Sequence, residues 1–431
     1  MCAYKWLTNC SSLLWANHKS YGEDARMKQR ICILSFSFIH QDARVLRQVE
    51  YLAGRFLVTI IGYGQLDVNF KTAVQAYSVN PPDFWQKVRK LLLLILGRIL
   101  TDRAYEFWYW KEKHHKAALD LITKSRPRVI HANDLITLPL AVKASENTGA
   151  HIVLDLHEYA PLEWESRRYK KIFYKPMVDY LLRKYMPHIS ASVTVGEAIA
   201  ERYFREYGFR PAVIMNTPRP IDSPSFRKTN TEAIRLVHHG GAIRDRRLEL
   251  MIQTVALTDS RYTLHFMLVE SSRGYLSYLR ALAQRVASGR VFFHQPVPPV
   301  DIIRTLSGFD MGIYLLPLTD FNHSCALPNK FFDFIMAGLP VCLGPSPEMT
   351  NIARRFEFGA VAQSFEPSEV ARVLNGLTAS EIDQMKVRAI KARNILNADV
   401  EMRRLIALYS ELLGENKCAV SSEPGISMVS S

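Results

Sequence analysis

Short apolar runs alternate with stretches whose apolar positions recur at helical spacing along most of the chain. Uninterrupted Val, Ile and Leu suit strands buried on both faces of a parallel sheet, and the helical stretches between them supply the crossovers. The pattern predicts strands at 31–38, 57–62, 129–131, 151–156 and 191–195, with helices at 43–54, 135–148 and 197–207. Around Asn216-Thr217-Pro218-Arg219-Pro220-Ile221-Asp222-Ser223-Pro224 periodicity gives way to proline and polar residues, which marks a linker. Strands then resume at 234–238, 263–269, 291–293, 311–315 and 341–343, with helices at 248–257 and 275–287. The fold class is α/β, as two Rossmann-like, doubly wound domains facing each other across a cleft.

Length agrees, because 431 residues exceed what one hydrophobic core usually serves. The divisions expected are an N-terminal extension at 1–30, a first domain at 31–217, the linker at 218–232, a second domain at 233–395, a C-terminal helix at 396–413 and a flexible tail at 414–431. A hydrophobic fraction of 48% excludes a disordered chain. The six cysteines are scattered with no CxxC pair, so neither a disulfide framework nor a zinc site is expected, and a reducing cytoplasm is. Residues 1–30 lack the apolar core and small-residue cleavage site of a secretory signal.

The net charge of +14 is concentrated locally. Residues 81–128 hold eleven Lys or Arg against five Asp or Glu, and residues 163–188 hold seven against three. The first segment also carries Leu91-Leu92-Leu93-Leu94-Ile95-Leu96 and Phe107-Trp108-Tyr109-Trp110. Apolar bulk, interfacial aromatics and basic residues together predict an anionic membrane surface as partner for 84–116, although a buried helix with a solvated basic rim fits the same composition. Spanning a bilayer needs about 20 apolar residues, and Arg98 interrupts this run too early. No nucleic-acid partner is expected, since no helix-turn-helix, zinc-finger or RNA-binding signature occurs.

Ligands of doubly wound sheets bind beyond the carboxyl ends of the strands. Those positions hold His40-Gln41-Asp42-Ala43-Arg44-Val45, His131-Ala132-Asn133-Asp134, Asp155-Leu156-His157-Glu158, and His239-Gly240-Gly241 ahead of Arg244-Asp245-Arg246-Arg247. Glycines permit close backbone approach, and guanidinium forks match phosphate. In Leu327-Pro328-Asn329-Lys330-Phe331-Phe332-Asp333, a helix entry leaves backbone N–H groups and a cation for a phosphate. Asp333, one turn on, can accept from a ribose diol, and Gly338 and Pro340 end the helix. That pattern suits an anionic, sugar-bearing ligand; an ordinary amphipathic helix packing Phe331, Phe332, Ile335 and Met336 would show the same spacing.

Taken in order, Asp42-Ala43-Arg44-Val45, His131-Ala132-Asn133-Asp134, Asp155-Leu156-His157-Glu158, Val193-Thr194-Val195-Gly196-Glu197, His239-Gly240-Gly241 and Pro328 through Pro340 resemble the motifs of the family-four glycosyltransferases of the GT-B fold, over about residues 31–395. The resemblance implies an acceptor domain first and a nucleotide-sugar donor domain second. It implies a retaining hexosyl transfer from a UDP- or GDP-linked sugar, with no obligatory metal and no cofactor beyond the donor. The expected acceptor is a lipid-linked or membrane-associated glycan, used in cell-surface polysaccharide or glycolipid synthesis by an enzyme peripheral on the cytoplasmic membrane face.

On that resemblance the expected catalytic residues are His131, Asp134, Arg246 and Lys330. Gly240, Gly241, Arg246, Glu270, Asn329, Lys330 and Asp333 are expected to bind the donor, and His40, Arg44, His157 and Glu158 the acceptor. The chain departs from the family in three places. Two glutamates eight positions apart are replaced by Cys325 and Asp333, the glycine-rich turn after 263–269 by Glu270-Ser271-Ser272-Arg273-Gly274, and the Arg-Gly after the donor loop by Arg246-Arg247. A sugar-nucleotide epimerase or a non-catalytic scaffold of the same fold are the alternatives.

Overall fold

The computed structural model describes residues 28–64, 74–83, 103–163, 168–221 and 226–415, with the single positions 88 and 92. It contains two sheets. The first comprises β1 (Arg30–Phe38), β2 (Leu57–Tyr63), β3 (Val74–Val79), β4 (Val129–Asn133), β5 (His151–Leu156), β6 (Ala191–Thr194) and β7 (Ala212–Val213), in the order β3-β2-β1-β4-β5-β6-β7. The second comprises β8 (Ile234–Ala242), β9 (Tyr262–Glu270), β10 (Val291–His294), β11 (Met311–Tyr314), β12 (Val341–Leu343) and β13 (Gly359–Val361), in the order β10-β9-β8-β11-β12-β13. All of these pairings are parallel. Both sheets therefore reverse direction of growth at their first strand, and the crevice opens at the carboxyl ends of β1 with β4 and of β8 with β11.

Central strands read as predicted because both faces are covered: Ile31, Cys32, Ile33 and Leu34 of β1 are fully buried. The sequence reading lacks β3, β7 and β13. In β3 the run Val-Gln-Ala-Tyr-Ser-Val is a mostly exposed edge strand, and β7 and β13 are too short to show a period. β8 also runs past its apolar part through His238, His239, Gly240 and Gly241 to Ala242, paired residue by residue with β9.

The second sheet has one continuous core, whereas the first has a separate core on each face. One of those faces is completed by the chain's last described helix, Ala398–Leu412, which returns to bury Met402, Leu405 and Tyr409 against Ile31, Val45 and Val49.

The aromatic cluster at 107–110 is mainly core. Trp108 and Tyr109 are buried under the first sheet, and of the aromatics on the helix Arg103–Lys111 Phe107 is the largely exposed one. The apolar run 91–96, apart from position 92, lies outside the described residues, as do Lys87, Arg89, Lys90 and Arg98, residues 1–27 and residues 416–431. Among the described residues, no helix is long and apolar enough to cross a membrane.

Candidate active site

A cavity of about 880 Å³ lies between the carboxyl ends of the two sheets. From the second half it is lined by His239, Gly240, Gly241, Arg246 and the segment 325–330 with Asp333; from the first, by the turn after β1 and by His157 and Glu158.

The helix Asn329–Met336 turns Phe331, Phe332, Phe334, Ile335 and Met336 into the core, which leaves Lys330 and Asp333 on the face toward the cavity. Lys330 is 6% exposed, and its Nζ has no hydrogen-bond partner. The ammonium sits 5.2 Å from the centre of the Tyr314 ring and against Gly240. Burial, with Arg246 adding repulsion and Asp333 only partly compensating, draws its pKa down to about 7. Burial pushes the Asp333 carboxyl up to about 7, against the pull of Arg47 and Lys330. His239 Nε2 lies 3.5 Å from Asp333 Oδ2 and also lacks a partner; burial and the Lys330 charge hold this imidazole neutral, with a pKa of about 3.

A buried cation without a partner costs several kcal/mol unless an anion arrives to pair with it. Lys330, Arg246 and the glycine backbone of β8 therefore give this wall the groups that an anion site requires, and Asp333, one helical turn away, is able to accept from hydroxyls. Asn329 is tied across the cleft, its Oδ1 accepting from Asn216 Nδ2 at 2.8 Å, and Asn216 in turn accepts from Arg47 of the first half. Sequence reasoning did not find Arg47, although it lies three residues past Arg44 on the same helix, nor Asn216.

The other predicted residues are placed unevenly. Glu270, expected at the donor, lies at the end of β9 outside the cavity and accepts from Gly274 N at 2.9 Å, fixing the turn before the helix Tyr275–Val286. His131, expected to be catalytic, is fully buried and does not line the cavity; its ring is held between Asp155, at 3.3 Å, and the Tyr409 hydroxyl, at 2.6 Å. Burial lowers its pKa despite Asp155. Tyr409, distant in sequence, gave no signal.

Arg44 lines the wall but is committed: Nε and Nη2 donate to Asp155 at 2.8 and 2.9 Å, and Nη1 to the Ile214 carbonyl at 3.0 Å. Although burial opposes ionisation of Asp155, Arg44 and His157 hold it well below the usual carboxylate range. His157 faces the cavity; burial disfavours its cation, but Asp134 at 3.5 Å and Asp155 at 3.6 Å overcome this and raise its pKa to about 9. Glu158 is in the wall, with a pKa raised by burial and then by Asp134. Asp134 and His40 lie beside the cavity without lining it. Asp134 stands at φ 65° behind His157, and His40 bonds to the Gln41 amide.

Cys325 is buried on the cavity wall, its thiol pushed up to about 12 by burial, so the first carboxylate of the family pair has no acidic substitute at that position. Among the described residues, no group of three or more His, Cys, Asp or Glu is arranged to hold a metal ion.

Residues 70–223 match the model of Glycosyltransferase Family 4. No curated protein matches the sequence. Among solved structures, the Anabaena protein HepE in complex with UDP and glucose is similar at a TM-score of 0.62 and 14% identity, covering 89% of this chain and 100% of that one. The E. coli trehalose-6-phosphate protein bound to UDP-2-fluoro glucose has a TM-score of 0.63 and 13% identity, over 89% of this chain and 99% of that one. A glycosyltransferase from Rickettsia africae has a TM-score of 0.62 and 12% identity, over 91% and 100%. At such identities the structures share the fold, and the family match lies on the first half. Residues 70–223 are thus similar to Glycosyltransferase Family 4, and the chain folds as two facing Rossmann-like sheets of the GT-B type.

Proposed function

We propose that the protein moves a hexosyl group, with retention, from a nucleoside diphosphate sugar to a hydroxyl of a lipid-linked or membrane-associated glycan. The observation that carries this reading is the buried, unpartnered Lys330 ammonium, set against Gly240 with Arg246 near it. As the C1–oxygen bond to the diphosphate breaks, negative charge grows on the leaving oxygen, and preorganised cations stabilise it at no reorganisation cost. Lys330 and Arg246 take the diphosphate, Gly240 and Gly241 allow its approach, and Asp333 accepts from the ribose. His157 and Glu158 face the transferred sugar or the attacking hydroxyl. His131, through Asp155, holds His157 in position rather than touching substrate. UDP is the favoured carrier, because similar folds hold UDP or a UDP sugar.

Retention follows the family resemblance, as does the membrane-borne acceptor in surface-polysaccharide or glycolipid synthesis. A peripheral cytoplasmic location is favoured by the exposed Phe107 beside Lys111, Lys113 and Lys116. A thermal-shift panel of UDP, GDP, ADP and CMP tests the donor reading, since a ligand that binds only the native state raises its melting temperature. A shift with UDP or GDP is expected. No shift with any nucleotide would leave a scaffold, and product formed from donor alone would make the enzyme an epimerase. Proton NMR of the product's anomeric centre tests retention.

A further inference from the structure

The end of β1 presents one large aromatic side chain to a cavity whose remaining walls are polar or aliphatic. Phe38 is 46% exposed, and it is the sole Phe, Tyr or Trp among the described residues lining the cavity. A half-exposed ring in a concave wall can still bury apolar area against a ligand, at about 25 cal/mol per Å² removed from water.

The exposure is built into the fold. The Ile39–Gln41 turn packs where β2 has Gly62, whose Cβ would stand 2.3 Å from the Ile39 side chain. Gly64, at φ +81°, leaves room beside the Phe38 ring, where a Cβ would be 3.3 Å away. Tyr63 meets Phe38 edge-on with ring centres 5.9 Å apart, and is itself stacked on Phe36 at 5.6 Å, which stacks on His115 at 5.0 Å. Phe38 therefore caps a row of packed rings and is held toward the cavity from behind.

Polar groups surround it: Ser37, Gln41 and Asp42 line the cavity alongside, and His157 and Glu158 line it from just beyond β5. Asp42 is fixed by capping Val45 N at 3.1 Å and accepting from Ser37 Oγ at 2.8 Å, which leaves carboxylate lone pairs open to the cavity. An aromatic face ringed by hydrogen-bonding groups matches a pyranose, which has one face of polarised C–H bonds and an edge of hydroxyls. A polyprenyl chain would instead require a continuous apolar wall.

We infer that Phe38 is the floor of the acceptor subsite and stacks on a neutral pyranose ring, placing that sugar's hydroxyl toward the donor. This rests on the reading of the cavity as a glycosyl-transfer site.

Saturation-transfer NMR on the whole protein with UDP present tests it, using methyl pyranosides of glucose, galactose, mannose and N-acetylglucosamine, and farnesyl phosphate as the lipid probe. Ring-proton saturation of at least one pyranoside is expected in the wild type and in Phe38→Tyr, with about tenfold weaker binding in Phe38→Ala and Phe38→Leu. The UDP signal should persist in all four proteins. Should alanine unfold the turn, the leucine variant carries the comparison. Equal pyranoside signals in wild type and Phe38→Leu, no pyranoside signal in a wild type that binds UDP, or a Phe38-dependent signal from farnesyl phosphate in place of the sugars would overturn the inference. Loss of the UDP signal in the wild type would instead sink the donor reading.

Discussion

Gly240 and Lys330 meet so closely that a Cβ on Gly240 would stand 2.9 Å from the Lys330 Nζ. Gly240 also holds φ +108°, a conformation side chains avoid. Gly240→Ala should therefore both strain β8 and displace the ammonium from the anion site. Isothermal titration with UDP should show affinity reduced by about tenfold or more, a larger effect than the accompanying fall in melting temperature suggests. Unchanged UDP affinity would place the diphosphate elsewhere.

Lys330→Ala removes the buried cation and should lower transfer by about a hundredfold, the usual scale for one preorganised electrostatic group. Arg246→Ala should act in the same direction. If both cations serve one diphosphate, the double variant should lose less than the two single losses combined. Additive losses in single-turnover assays would separate their roles.

Asp333 and Lys330 should make the site sensitive to pH near neutrality. The folded value of Asp333, about 7, lies above its ordinary 3.8; the folded protein holds the extra proton between them, and this group's contribution to stability falls as pH rises through that window. The folded value of Lys330, about 7, lies below its ordinary 10.5, so its contribution rises from about 7 toward 10.5. Together they contribute least near neutral pH. Binding, in contrast, needs the carboxylate for ribose and the ammonium for diphosphate, so UDP affinity should peak near pH 7 and fall on both sides. A flat affinity profile across that range, with stability following the stated windows, would remove both groups from the donor contact.

Asp333→Asn should weaken UDP binding, whereas Asp333→Glu should be tolerated, because ribose hydroxyls need a charged acceptor in this reading. Equal binding by the amide variant would end the ribose assignment.

Arg44 and Asp155 are a stability pair. Arg44→Met should cost about 3–5 kcal/mol in urea denaturation, since it leaves a buried carboxylate short of its main counter-charge. Asp155 is held well below its ordinary 3.8, so the wild type keeps this contribution above that value and loses it as pH falls further. A loss under 1 kcal/mol would return Arg44 to the pool of acceptor ligands.

Residue order alone determined the alternation of strands and helices in both halves, because buried parallel strands need unbroken apolar runs and their crossovers need helical periodicity. It also pointed to Lys330, Asp333, Gly240 and Arg246, which line one cavity where local rules place helix entries and strand ends. Only the tertiary structure could separate His131 from His157. Both follow the same strand pattern, but Tyr409, brought back by the Ala398–Leu412 helix, seals the first while the second faces the cavity. The same holds for Arg44, whose partners Asp155 and Ile214 are more than a hundred residues away. Trp108 and Tyr109 read as a membrane belt until packing placed them in the core. Phe38 shows the reverse, an apolar residue at the end of β1 that stays exposed where Gly62 makes room for the following turn and Gly64 for the ring itself. Local sequence fixes periodicity and cap chemistry; which of two similar side chains meets water is set by contacts between segments far apart in the chain.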